Sequence, residues 1–460
     1  MEKKDPVFRR ERKDKTEMKK IFLLLFALLL TGALLAGCGK SETPAGTAAE
    51  EATGARETES KETEAAPATA PATEPPVEEE SKLDKYPVAD APFDPETGMT
   101  ENMIARSVYY EGDTARLKAK LAQVFDESYT GQTNVFFLGD SISDGSGSSG
   151  GSSFRKLVTK WFTDNAKSTT VCQNASIGAT DSYLAVHRVD KDVLSKNPDV
   201  IFIEFINDLD NDFYKATMES LIRKCLAAPT NPAVVLIEMV LEDGGNCQAC
   251  HAASAKAYGV PVLSYRDAVM PEVEAGNFRF RQISGDGTHP NYVGHAWTAE
   301  IITHFLEQVK DDPATGEVKP FDPATPSITG DRYAKAGLYD KESANLKATP
   351  DANFTLGTTP SKFKKGWGTN TVDSTITFEA EFANFGLLYY KTTDGKTGIV
   401  NVKIDGASMG FVNGNFPNGW GDYPAAVELY TSNEAKTHTV TITVTSANRQ
   451  HFEILALLMS

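Results

Sequence analysis

An α/β unit built on a parallel sheet covered on both faces, followed by an antiparallel β unit, is the fold class this sequence predicts. Three observations carry it. Between residues 99 and 312 short apolar runs alternate with amphipathic stretches, the signature of βαβ units joined by right-handed crossovers. From residue 326 the texture changes to period-two alternation bounded by Asp-Gly and Asn-Gly turns, which reads as antiparallel strands. The chain has 460 residues and is 40% apolar, a composition of soluble globular proteins and a length for two or three units.

In chain order, strands are expected over residues 134–138, 170–174, 200–205, 233–239 and 260–263. The two longest are apolar enough for burial on both faces. Between them, residues 153–164 place Phe154, Leu157, Val158, Trp161 and Phe162 on one helical stripe. Further helices are expected over 181–195, 212–227, 252–258 and 291–308. In the second unit the alternating runs are 374–382, 398–405, 426–430, 438–445 and 452–457. That many antiparallel strands close naturally as a β-sandwich, here jelly-roll-like, over 326–460. An aromatic loop, Phe416 to Tyr423, either stacks on a ligand face or packs between the two units.

The first 98 residues belong to neither unit. A basic stretch ending Met18-Lys19-Lys20 precedes an apolar run over 21–37, the build of an export signal. At 17 residues that run is at the lower limit for crossing a bilayer. Leu35-Ala36-Gly37-Cys38 resembles the lipobox of bacterial lipoproteins. The resemblance implies a signal over 1–38, a lipid on Cys38 and an extracytoplasmic, membrane-anchored protein; an uncleaved anchor has a similar topology. Met18 is an alternative start. Residues 39–98 are rich in Glu, Thr, Ala and Pro, a composition that favours an extended, disordered linker.

The charge balance narrows the partners. There are 46 basic and 63 acidic residues, a net charge of −17. Loss of residues 1–37, with nine basic and five acidic side chains, leaves −21. Binding nucleic acid through phosphate neutralisation is excluded on that balance.

Sites on parallel sheets lie at the carboxyl ends of the strands. There the sequence places Gly139-Asp140-Ser141, then Asn174 to Gly178-Ala179, then Glu204-Phe205-Ile206-Asn207-Asp208, and before the last helix Asp286-Gly287-Thr288-His289-Pro290. These four stretches, in this order, resemble the SGNH/GDSL hydrolase superfamily over residues 134–305. The resemblance implies a three-layer α/β/α, flavodoxin-like hydrolase domain over 99–312 that cleaves acyl esters without cofactor or metal. Ser141 is the expected nucleophile, because a serine hydroxyl needs a base within hydrogen-bond reach. His289 is that base, and Asp286, three residues earlier, orients it. Pro290 keeps His289 out of the following helix. The oxyanion donors expected are the Ser141 N–H, the Asn207 amide and a glycine-loop N–H, assigned to Gly178, although an ungapped match puts the family glycine at Ala179.

Phe205 replaces the glycine usual in the third block. Cys247-Gln248-Ala249-Cys250-His251 matches a c-type haem attachment pattern, but a local disulfide or free thiols suit this loop better. His187 and Arg188 are expected as a surface or capping pair, and Asp144 and Asp208 as solvated loop carboxylates. The expected substrate is an acylated, foremost O-acetylated, polysaccharide or a small ester. The alternatives are a lipid esterase or thioesterase of the same fold, and a non-catalytic glycan-binding lipoprotein.

Overall fold

The structure is a computed structural model that describes residues 82–149, 151–313, 316–447 and 449–460. The expected signal, Cys38 and most of the expected linker lie outside the described residues. Among the described residues no helix is long and apolar enough to cross a membrane.

The α/β part comprises α1 (Glu101–Ser107), β1 (Val108–Tyr110), α2 (Ala115–Val124), β2 (Gln132–Gly139), the one-turn α3 (Ser141–Asp144) and α4 (Phe154–Asn165). It continues with β3 (Thr169–Asn174), α5 (Ser182–Asp192), β4 (Val200–Glu204), α6 (Asp212–Leu226) and β5 (Ala233–Glu238). It ends with α7 (Gln248–Ala257), β6 (Val262–Ser264), α8 (Tyr265–Glu274) and α9 (Tyr292–Asp311). The sheet order is β1-β6-β5-β4-β2-β3. From β6 to β3 every pairing is parallel, whereas the edge strand β1 runs antiparallel to β6. Only three residues long and half-buried throughout, β1 lacks the apolar run that marks the other strands.

Alternation along the central strands divides the core. Val135 and Phe137 face a layer formed by α2, α4, α8 and α9. Phe136 and Leu138 face the layer of α5, α6 and α7. Neighbouring residues on a strand point to opposite faces, so the apolar run Val200–Ile203, buried at all positions, requires both layers.

Residues 82–98, expected to be linker, pack on the α/β part. Phe93 meets Phe278 edge-on at 5.4 Å, and the buried Arg106 guanidinium donates to the Tyr86 and Pro87 carbonyls. Tyr86 and Phe93 supply the apolar surface that residues 39–81 lack.

The β part contains β7 (Gly337–Tyr339), β8 (Lys347–Pro350), β9 (Trp367–Thr369), β10 (Thr375–Lys391), β11 (Ile399–Ile404), β12 (Ala407–Asn413), β13 (Tyr423–Val444) and β14 (Phe452–Met459). They form a hydrogen-bonded order β12-β11-β13-β10-β14-β7, with β8 on β10 and β9 on β14. Two expected strands, 426–430 and 438–445, are one 22-residue strand, and the 374–382 run extends to Lys391. Both bend where their mutual register shifts, between Phe382 and Gly386. The bend lets all the long strands share one apolar core with Trp367, Phe378, Val402, Ile442 and Ile454.

Period two fails in the last part of β10 because both of its faces are covered. Phe385, Leu387 and Tyr389 enter the β core, whereas Leu388 packs with α5 in the α/β core. β14 is buried at all eight positions for the same reason: Ile454 and Leu457 face one core, Leu455 and Leu458 the other. α5 is accordingly buried from Ser182 to Val189. His187 and Arg188, expected as a surface or capping pair, are 2% and 1% exposed. Tyr183 of α5 reaches so far into the β part that a Cβ at position 386 would overlap its hydroxyl, and Gly386 leaves that room.

Candidate active site

β2 ends at Gly139, where a Cβ would come within 2.6 Å of the Glu204 carbonyl oxygen and overlap Ser143; only glycine admits this approach of two strand ends. Asp140 then caps a single helical turn, its Oδ1 accepting the Ile142 N–H at 3.0 Å. Ser141 is the first residue of that turn and is half-buried. The buried Glu204 carboxylate holds the turn from below, accepting the Ser143 N–H at 3.2 Å and its hydroxyl at 2.7 Å.

From the far end of the chain, the loop before α9 brings His289 to the same point. Its Nε2 lies 2.9 Å from Ser141 Oγ, and its Nδ1 lies 2.7 Å from Asp286 Oδ2. Asp286 Oδ1 also accepts the Thr288 and His289 N–H groups at 2.9 and 2.7 Å, so one carboxylate sets both backbone and ring. Partial burial raises the Asp286 carboxyl, but the bonds from the His289 ring, the His289 N–H and the Thr288 N–H outweigh it and bring the carboxyl down to about 2. The imidazole therefore faces an ionised acid. Asn291 caps α9 immediately afterwards, accepting from Val293 and Gly294. Gly147, at φ +83°, carries the Gly/Ser loop beneath the ring, where a Cβ would lie 2.8 Å from His289 Cβ; its left-handed backbone suits glycine.

Gly178 faces Ser141, with a Cβ there falling 3.7 Å from Ser141 Cβ. Ala179 has φ +60°, so alanine occupies a left-handed position at the place of the family glycine. Ile177 N–H donates to the Gly139 carbonyl at 3.0 Å, tying this loop to β2. Asn207 is exposed, and its amide donates to Asp140 Oδ2 at 2.9 Å and to the Thr180 carbonyl at 3.0 Å. Asp140 thereby joins the Ser141 turn to the Asn207 loop. Burial, with the neighbouring Glu204 charge, pushes the Asp140 carboxyl well above its ordinary range against the pull of the Ile142 and Asn207 N–H groups.

Several supporting residues escaped sequence reading. Arg188 donates to the Ala175 carbonyl at 2.6 Å and the Gly139 carbonyl at 3.4 Å, fastening the ends of β3 and β2. His295, its ring buried and its basicity lowered by that burial, bridges the Phe154 N–H at Nδ1 and the Ser146 carbonyl at Nε2. It anchors the Gly/Ser loop to α9. Asp208, expected in solvent, is 3% exposed and accepts the Ser182 N–H at 2.9 Å. Asp144 does lie at the surface, accepting from Asn174. Phe205 is buried in the core.

The Cys247–His251 segment does not fit haem attachment. Both thiols are buried, and both nitrogens of the His251 ring face carboxylates, Glu238 Oε1 at 3.1 Å and Asp208 Oδ2 at 3.0 Å. The four described cysteines are all free. In the aromatic loop Trp420 stacks on Tyr423 at 4.8 Å and meets Phe416 edge-on, and it is 70% exposed.

The family model described as GDSL-like Lipase/Acylhydrolase matches residues 137–297. A crystal structure of a two-domain esterase (CEX) active on acetylated mannans is 29% identical and superposes with a TM-score of 0.71, covering 78% of this chain and 98% of that one. A structure of such an esterase co-crystallised with mannopentaose gives a TM-score of 0.70 at 29% identity, over 78% and 97% of the two chains. A comparison with curated proteins returns no match. The likeness to the two-domain esterase extends through both parts of the chain, and it agrees with the serine, imidazole and carboxylate gathered at the strand ends. Residues 137–297 thus carry a GDSL-like lipase/acylhydrolase domain, the SGNH hydrolase kind, in a carboxylic ester hydrolase that continues into a C-terminal antiparallel β domain.

Proposed function

We propose that this hydrolase is exported, held at the outer face of a cell membrane by a lipid on Cys38, and removes O-acetyl groups from a polysaccharide, foremost an acetylated mannan. The observation that carries the chemistry is the line Ser141 Oγ, His289 Nε2, His289 Nδ1, Asp286 Oδ2, with contacts of 2.9 and 2.7 Å. The two-domain esterase active on acetylated mannans supports the substrate class, and the lipobox-like Leu35-Ala36-Gly37-Cys38 supports the anchor.

In this reading His289 Nε2 takes the Ser141 proton as Oγ bonds to the acetyl carbonyl carbon, and Asp286 stabilises the imidazolium. The tetrahedral oxyanion is met by the N–H groups of Ser141 and Gly178 and by the Asn207 amide. Asn207 spends its amide hydrogens on Asp140 and Thr180, so it reaches the oxyanion by sharing one of them. The imidazolium returns its proton to the sugar oxygen as the ester bond breaks, leaving acetyl-Ser141. Water, deprotonated by His289, then releases acetate and restores the serine. The exposed Trp420 offers a flat apolar face to a sugar ring.

Acetate release from acetylated mannan tests this directly, with 4-nitrophenyl esters of rising chain length alongside. Rates that fall beyond acetyl, exceed the small-ester rate on mannan, and vanish in Ser141→Ala are expected. Rates that rise with chain length would replace the reading by a lipid esterase. Equal background in wild type and variant would leave a glycan-binding protein.

A further inference from the structure

We infer that Glu238, Cys247 and His251 form a structural zinc site behind the Asn207 loop. Glu238 ends β5, Cys247 immediately precedes α7, and His251 lies one turn further along, where residues four apart share a helix face. One carboxylate oxygen, the thiol sulfur and one ring nitrogen all lie within 4.8 Å of one another. The three residues are only 2%, 2% and 1% exposed. Thiolate, imidazole and carboxylate are the donor types zinc takes at about 2.0–2.3 Å in tetrahedral geometry.

A second observation points the same way. A zinc-bound imidazole characteristically donates its other N–H to a carboxylate, which fixes the ring. Here His251 Nε2 lies 3.0 Å from Asp208 Oδ2, and Asp208 is itself held by the Ser182 N–H. Nδ1 is thereby turned toward Glu238, 3.1 Å away. Cys247 Sγ is 3.8 Å from Glu238 Oε2 and 3.3 Å from the Phe205 carbonyl oxygen. Two carboxylates thus flank a single imidazole in the interior.

The consequence is mechanical. Besides its bonds to Phe205 and Asp208, the first turn of α7 takes hold of the Asn207 loop through the Cys250 N–H, which donates to Asp210 Oδ1 at 3.0 Å. Zinc fixes that turn, and with it the loop that presents Asn207 to the cleft.

Cys250 is the control. Its thiol faces the Leu209 and Cys247 carbonyls rather than the donor set. The full chain, purified without chelator and analysed for metals, should carry one zinc per chain. After removal of zinc and addition of Co²⁺, it should show a thiolate-to-cobalt absorption in the near ultraviolet. Cys247→Ser should lower retained metal at least tenfold and lose the band, whereas Cys250→Ser keeps both. Less than a tenth of an equivalent of zinc with no band in the wild-type chain would overturn the site, as would undiminished metal in Cys247→Ser. Because the wild-type spectrum decides by itself, a variant that fails to fold does not protect the idea.

Discussion

Ser141 and His289 lie 148 residues apart in the chain yet within one hydrogen bond, and their side chains are expected to behave as a single unit. Ser141→Ala and His289→Ala should each lower kcat on 4-nitrophenyl acetate by about 10³-fold or more, and the double variant should be scarcely worse; losses that multiply would mean the two do not cooperate. Asp286→Asn should cost about 10²–10⁴-fold. The Asp286 carboxyl titrates near 2 in the fold, below its unfolded value. The stability it contributes is therefore complete above about pH 4 and fades only as pH falls towards 2. A pH–rate profile of the wild type should show no limb from Asp286 between pH 4 and 9. These three residues were legible because their chemistry is written locally, in a serine after a strand and an Asp-x-x-His-Pro loop. Arg188 and His295 were not, since their partners there are backbone groups distant in sequence, the Ala175 and Gly139 carbonyls for one and the Phe154 N–H and Ser146 carbonyl for the other, that only the folded chain brings near.

Among the elements, α5 shows how far local pattern reaches. Its helical character was plain from residues 181–195, but its burial was not, because the strands that cover it arrive some 200 residues later. Asp181 caps it, accepting the Leu184 N–H at 2.8 Å, and receives the Tyr214 hydroxyl at 3.3 Å. Burial, reinforced by the Asp208 charge, pushes the Asp181 carboxyl up to about 7. The stability tied to its protonated form is therefore full below about pH 4 and is lost as pH rises through about 7. Asp181→Asn keeps the capping oxygen and removes the charge. Its unfolding free energy in urea should decline less than that of the wild type between pH 4 and 8, and the variant should be the more stable of the two above pH 7; parallel curves would refute the assignment. The three-residue β1 and the joined halves of β13 were missed for opposite reasons, one too short to show a period and the other interrupted by a polar stretch over 431–437.

For the molecule as a whole, the two cores are adjacent layers of one packed body from residue 82 onward. The expected order of units, an α/β part and then a β part, was readable from the switch in periodicity near residue 326; the extent of their contact was not. Gly386→Val should force the β part away from Tyr183 and cost about 1–3 kcal/mol, measured as a shift of a single denaturation midpoint. Two separate transitions, with only the second displaced, would show that the layers unfold independently.

The burial of α5 between them carries one further implication. A carbohydrate-binding appendage on a flexible tether is free to be lost, duplicated or exchanged among enzymes, but here removal of the C-terminal strands would strip the oily flank of a helix whose arginine clasps the backbone close to Ser141. Natural variants of this architecture should therefore inherit both halves together, and engineers who transplant the hydrolase alone will need to repaint that flank with polar side chains first.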